Sequence, residues 1–275
     1  MNTLKLKSNI AKASVYLSAI ITIGILVILV MYILIKGIPH ITPSLFSIKY
    51  TSNNVSLFPA LINTLIITGL ALLFAVPLGI FSAIYMVEYA NKGNKLVSIV
   101  RMTTETLQGI PSIVYGLFGT LFFVTIVFKT YCLLAGALTL SIMILPLIMR
   151  TTEEALKSIP DSFREGSLGL GAGKLRTVFK IILPSAAHGI FGGVILSVGR
   201  IVGETVALIY TAGSMPKVPE NLLGSGRTLS VHMYSLWNEG LNVNESYATA
   251  VVLLTIVLLL NFISSYIEKK VQMDK

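Results

Sequence analysis

The sequence predicts an all-α membrane protein with six transmembrane helices and both termini on the cytoplasmic side. Three observations carry this: a very apolar composition, six apolar runs of spanning length, and lysines and arginines crowded on one side of them. Of 275 residues, 54% are hydrophobic and only 12% charged, whereas soluble domains carry about 25% charged residues. A mean hydropathy of +0.83 excludes a water-soluble enzyme and a disordered chain alike. The net charge of +9 does not point to nucleic acid, because the basic residues lie between the apolar runs rather than in one stripe. The single cysteine, Cys132, excludes an internal disulfide and a zinc site of cysteines.

A span needs about 20 residues at roughly 1.5 Å each. The first run, Val15 to Ile35, is uncharged. It is too long for the apolar core of a cleaved signal peptide, about 7–15 residues, and no small-x-small cleavage site follows it. The second runs from about Leu57 to Val87, with Pro77 inside it. The third, about Thr103 to Phe128, carries Glu105 and Gln108 near its start. The fourth, Tyr131 to Met149, follows after a residue or two near Lys129, which predicts a tight helical hairpin. The fifth, about Ser185 to Tyr210, carries His188, Arg200 and Glu204, and the sixth is Ala248 to Ile267. With the N-terminus inside, inner segments hold roughly three times as many Lys and Arg as outer ones, as the positive-inside rule requires. Of the two long outer stretches, 36–56 is polar, and 211–247 holds the Gly224-Ser225-Gly226 turn and the only tryptophan, Trp237. Apolar spacing over Thr228 to Trp237 predicts a short helix there.

The main inner loop runs from about 150 to 184. Ser162 and Glu165 have capping-box spacing, which predicts a short helix from Phe163. Gly169, Gly171 and Gly173 then end it, since glycine suits the left-handed C-terminal position. The segment Gly169 to Lys174 is not a nucleotide loop. Leu168 stands where a P-loop needs glycine, Leu175 where it needs Ser or Thr, and Lys174 where the dinucleotide fingerprint needs its third glycine. Energy must therefore come from a partner or an ion gradient.

In this loop Glu165-Gly166-Ser167, three residues, Gly171, nine residues, then Ile181-Ile182-Leu183-Pro184 resembles the EAA signature of ABC importer permeases. Gly166 and Ser167 replace its two alanines; both are small, so close packing survives. The resemblance implies a six-helix type I importer permease of the MetI-like fold. Residues 1–14 would be a cytoplasmic N-terminus and 15–275 one permease domain, its core at about 57–267. It also implies that Glu165, Gly166, Ser167, Gly171, Leu183 and Pro184 couple the chain to an ATPase subunit. Two further segments look like phosphate permeases, 109–118 and 199–205, the latter reading Gly199-Arg200-Ile201-Val202-Gly203-Glu204-Thr205, and 83–90 resembles the PstA type among them. The family then implies a bacterial cytoplasmic-membrane subunit, itself no enzyme, transporting inorganic phosphate. Its partners would be a second permease of the PstC type, two ATPase subunits of the PstB type and a binding protein of the PstS type. ATP with magnesium would be bound in the ATPase, and this chain would hold no cofactor or metal.

The residues support an anion separately. A charge in mid-bilayer costs at least about 2.5–3.5 kcal/mol, so Arg200 and Glu204 mark a candidate substrate pathway. They are four apart, which places them on one face of a continuous helix, with Arg200 offering a fork of donors to phosphate. Glu204 would hold Arg200 when the site is empty. Arg101 and Glu105, also four apart, form a candidate gating pair at the inner end of the third run. A permease for molybdate or sulfate would carry the same loop. An ion-coupled secondary transporter predicts discontinuous helices or inverted repeats, which the sequence does not display. No membrane-enzyme motif is present.

Overall fold

The computed structural model describes residues 2–91 and 93–273. Lys92 and Lys275, both counted in the charge asymmetry, lie outside the described residues. So does Met1 of the N-terminal segment, and so do the side chains of Lys5, Lys7, Lys269 and Lys270. Among the described residues the regular structure is entirely helical. Below, inner and outer follow the side assigned by the charge asymmetry.

The first run lies within α1 (Asn2–Gly37), which from Ala11 on exposes nearly all its side chains and packs against the last helix, α11 (Val243–Met273). A Cβ on Gly37 would run into the Tyr247 carbonyl and Val251. Glycine here lets the two backbones touch, as small residues do between membrane helices. At that end Tyr247 meets Tyr32 and Trp237 edge-on, with ring centroids 5.9 and 5.6 Å apart. Such aromatic clusters favour the headgroup depth.

The core is built on α2 (Phe58–Ile84) and α5 (Leu133–Lys157), the most extensively packed pair, with α8 (Leu183–Gly203) against α5. Their apolar core includes Ile67, Ala71, Leu140, Ile144 and Ile148. Ala and Gly bring the axes close: a Cβ on Gly79 would lie 2.7 Å from Ile148, and one on Gly189 2.7 Å from Ala155. The buried start of α5 leaves amides without helical partners. Its Cys132, Leu133 and Leu134 amides donate to the carbonyls of Thr211, Gly224 and Leu222, and the Cys132 sulfur caps Ala135. The outer 211–226 stretch is thus the lid of α5. The expected helix beyond it is α10 (Leu229–Glu239).

The third run departs from expectation. It is not one straight span but α3 (Lys95–Gln108) and α4 (Ser112–Gly119), the latter prolonged by a π-helical stretch Thr120–Phe128, with a 103° bend between them. The cause is local: Pro111 has no amide to continue a helix and holds the residue before it out of the α region. The freed Leu107 carbonyl accepts from the Tyr115 hydroxyl at 2.8 Å. Among the described residues five helices are long and apolar enough to cross a membrane, six if this bent pair counts as one span. The discontinuous helix absent from the sequence reading is therefore present. The hairpin to α5 uses four residues, with Lys129 in the left-handed conformation at φ 56°.

Candidate functional site

The inner loop folds as α6 (Asp161–Gly169), then α7 (Lys174–Thr177), a π-helical turn Val178–Ile182, and α8. The start of α6 corrects the capping-box reading. Pro160, at ψ 142°, precedes a helix that begins at Asp161 with no side-chain cap. Pro160 fixes the entry, and Asp161 places a carboxylate by the positive helix end. The end of α6 follows the expectation at one glycine. Gly171 has φ +83°, its amide bonds to the Leu168 carbonyl at 2.9 Å, and the Ala172 amide bonds to Ser167 at 3.1 Å. That is a Schellman motif with Gly171 at the left-handed position.

Of the signature residues, Ser167 is buried and shares a 2.8 Å hydrogen bond with Thr177. This closes α6 onto α7. Glu165, Gly166 and Gly171 are exposed, with nothing within 4 Å of a Cβ at either glycine. Pro184 stands in the first turn of α8, just after the π-helical turn. Proline removes one helical hydrogen bond and crowds the preceding turn, and the wider π-helical ladder accommodates it. The free face of the loop is apolar: Phe163, Leu168, Leu170 and Leu175 are all exposed, Leu170 to 91%.

One contact was not foreseen. The Arg164 guanidinium clamps Glu88, on the π-helical turn Tyr85–Tyr89 that ends α2, with Nη2 2.7 Å and Nε 3.1 Å from Oε1. It also donates to the Leu156 and Ile159 carbonyls and reaches Asp161. The hydrogen bond to Glu88 raises the Arg164 pKa, burial acting in the opposite sense. Nearby, Lys174 lies 5.0 Å above the Tyr89 ring. An acid at the end of a span was the available signal for this clamp, but its partner is 76 residues away.

At the inner end of α5, the expected Arg101–Glu105 pair is replaced. Arg101 reaches across to Glu153 at 2.6 Å, and Lys157 shares the same carboxylate oxygen at 2.6 Å. Glu105 lines the same small cavity, about 120 Å³, with Arg150 and Glu154, which pair with each other at 3.0 Å. The bend at Pro111 lays α3 along α5, so a cross-helix partner wins over the neighbour four residues on.

The expected Arg200–Glu204 face is also corrected. The helix ends at Gly203, and Glu204 adopts an extended backbone at ψ 129°. Its carboxylate turns to the Ala207 amide at 3.1 Å and caps the short α9 (Val206–Ile209). Arg200 remains half-buried in the last turn of α8, near Tyr115 and with no carboxylate within 4 Å among the described residues. Gly203 is exposed and has open space where a Cβ would be, so it serves no close packing within this chain.

A family model described as binding-protein-dependent transport system inner membrane component matches residues 75–273. The chain belongs to this family. It is 33% identical over 252 residues to the probable ABC transporter permease protein YqgI of Bacillus subtilis, covering 86% of this chain and 85% of that one. It is 31% identical over 266 residues to the phosphate transport system permease protein PstA of Pasteurella multocida, covering 94% and 92%. Its fold is shared with the MetNI methionine ABC transporter in an inward-facing form, with TM-score 0.61, 23% identity, and 78% and 94% coverage. These likenesses make it a PstA-type permease of the MetI-type fold, a multi-pass protein of the inner membrane. The matched region runs from the middle of α2 through α11. It therefore includes the Glu88–Arg164 clamp, the Glu153 cluster, the inner loop and Arg200.

Proposed function

We propose that this PstA-type permease is one half of the membrane pathway of an ATP-driven phosphate importer. Arg200 meets the anion in that pathway, and the α6–α7 loop is the contact with an ATPase subunit. The observation that carries the substrate reading is Arg200: half-buried, late in a span, and without a carboxylate partner among the described residues. An ion pair serving only to hold the bundle together would bring a carboxylate to it, and Glu204 is committed to capping α9. The relatives named PstA supply the identity of the anion. The exposed apolar face of Phe163, Leu168, Leu170 and Leu175 supports docking into a protein groove, since water is a poor neighbour for it.

A PstC-type permease would complete the pathway, PstB-type subunits would bind ATP with magnesium, and a PstS-type protein would deliver phosphate. Closure of the ATPase pair moves α6, and the Glu88–Arg164 clamp passes that motion to α2. Glu165, Gly166 and Gly171 face the ATPase; Ser167, Leu183 and Pro184 hold α6, α7 and α8 together. Arg101 acts as a gating residue through Glu153, with Glu105 beside it.

The test is ATP-dependent uptake of radiolabelled phosphate into vesicles holding the whole complex. Wild type should import. Arg200→Ala should assemble with normal ATPase binding but import little. Gly171→Asp should lose the ATPase. Uptake of molybdate or sulfate in preference to phosphate would refute the substrate reading, and uptake driven by an ion gradient without ATP would refute the coupling reading.

A further inference from the structure

A second arginine without a carboxylate partner lies far from the inner loop, in the outer stretch before α10. Arg227 is only 3% exposed, and its Nε and Nη2 are buried with no hydrogen-bond partner among the described residues. Its guanidinium carbon sits 4.8 Å above the Tyr50 ring. A cation–π contact offsets only part of what a buried charge loses in hydration.

The backbone around it is fixed. The Arg227 amide donates to the Met215 carbonyl at 2.9 Å, and the Asn63 amide group bridges the Arg227 and Lys217 carbonyls at 3.1 and 2.9 Å. The neighbouring His232 ring, edge-on to Tyr50 at 6.2 Å, supplies no negative charge. Tyr50 also lines a cavity of about 510 Å³ with Lys49 and Lys217, and no carboxylate stands in its walls among the described residues. Two lysines thus flank a cavity whose tyrosine wall carries a buried, unneutralised guanidinium on its ring.

We infer that Arg227 anchors a binding site for a small inorganic anion on the outer side of the chain, reached through the Lys49–Lys217 cavity past Tyr50. The guanidinium fork suits a tetrahedral oxyanion, and the lysines raise the local anion concentration. Burial by the chain's own residues admits a small ion more readily than a side chain from a partner protein. The site is built on a different residue from Arg200, and does not depend on phosphate being the cargo. The anion is either the transported oxyanion or chloride from the medium.

The experiment measures equilibrium binding of radiolabelled inorganic phosphate, and thermal stabilisation by phosphate or chloride, on the purified complex without nucleotide or binding protein. Arg200→Gln is included in every variant, so that binding at the pathway is removed. In that background phosphate should still bind. Adding Arg227→Gln should weaken binding at least tenfold, and adding Lys49→Gln with Lys217→Gln should weaken it about threefold and flatten its salt dependence. If chloride stabilises and phosphate does not, with the same loss in both variants, the site stands and its anion is the halide. Should Arg227→Gln fail to fold, the surface lysine pair decides: unchanged anion affinity there overturns the proposal. Equal stability in phosphate, chloride and a large non-coordinating anion also overturns it, because Arg227 would then be neutralised by a partner subunit.

Discussion

Arg164 of the inner loop holds Glu88 of the second span through two nitrogens on one carboxylate oxygen, at 2.7 and 3.1 Å, with the two side chains 19% and 7% exposed. This ties α6 of the inner loop to the helix at the centre of the core. The same guanidinium takes up two carbonyls at the end of α5, so α2, α5 and α6 meet at one side chain.

Removing either partner leaves a largely buried charge. Arg164→Gln and Glu88→Gln should each impair transport-coupled ATP hydrolysis. A double-mutant cycle on stability should return a coupling of about 1–3 kcal/mol. If the complex hydrolyses ATP in step with uptake in both single variants, the clamp is structural and motion passes elsewhere.

The two glycines of the α6 signature should behave oppositely. Gly171 needs its positive φ, so Gly171→Ala should destabilise the loop by about 1 kcal/mol or more and reduce ATPase association. Gly166 lies inside α6 with open space around it. Gly166→Ala should raise helix stability by up to about 1 kcal/mol and leave coupling intact. Co-purification of the ATPase with each variant reads both outcomes.

Close approach of α5 and α8 rests on Gly193, whose added Cβ would run into the Thr151 hydroxyl, and on Gly189 against Ala155. Gly193→Ala should lower stability by about 1–3 kcal/mol as an overpacked contact does. Thr151→Ala should restore most of it by clearing the space. A thermal midpoint in the double variant no higher than in Gly193→Ala would show that the helices are not held at this crossing.

Five of the six runs were legible because hydropathy marks a span by itself. The third run, around Pro111, holds both signals: an apolar stretch long enough to cross, and a Gly-Ile-Pro break within it. Hydropathy reports the length and not the break, and the bend takes Arg101 from its neighbour Glu105 to Glu153. Arg200 and Glu204 part for a related reason. Spacing of four implies a shared face only while the helix continues, and the extended backbone at Glu204 ends it. The EAA spacing was legible because it encodes local structure: a left-handed glycine, a small buried serine, a proline after a π-helical turn. The Glu88 clamp and the Arg227 pocket join residues far apart in sequence, and no local pattern announces such pairs.

His232 gives the outer region a pH dependence. It is fully buried, and burial, with Arg227 next to it, pushes its pKa from the usual 6.5 down to about 3. The folded state therefore keeps it neutral where the unfolded chain would protonate it. Its stability contribution is fully present above about pH 6.5, and is lost progressively as pH falls from there towards 3. The slope should approach about 1.4 kcal/mol per pH unit in that window. Hydrogen exchange of the α10 amides, followed from pH 7 to 4.5, should show this loss of protection, and His232→Phe should flatten the profile. An α10 equally protected at both ends in the wild-type chain would mean that the histidine gains a proton without disturbing the fold, and that burial does not hold it neutral.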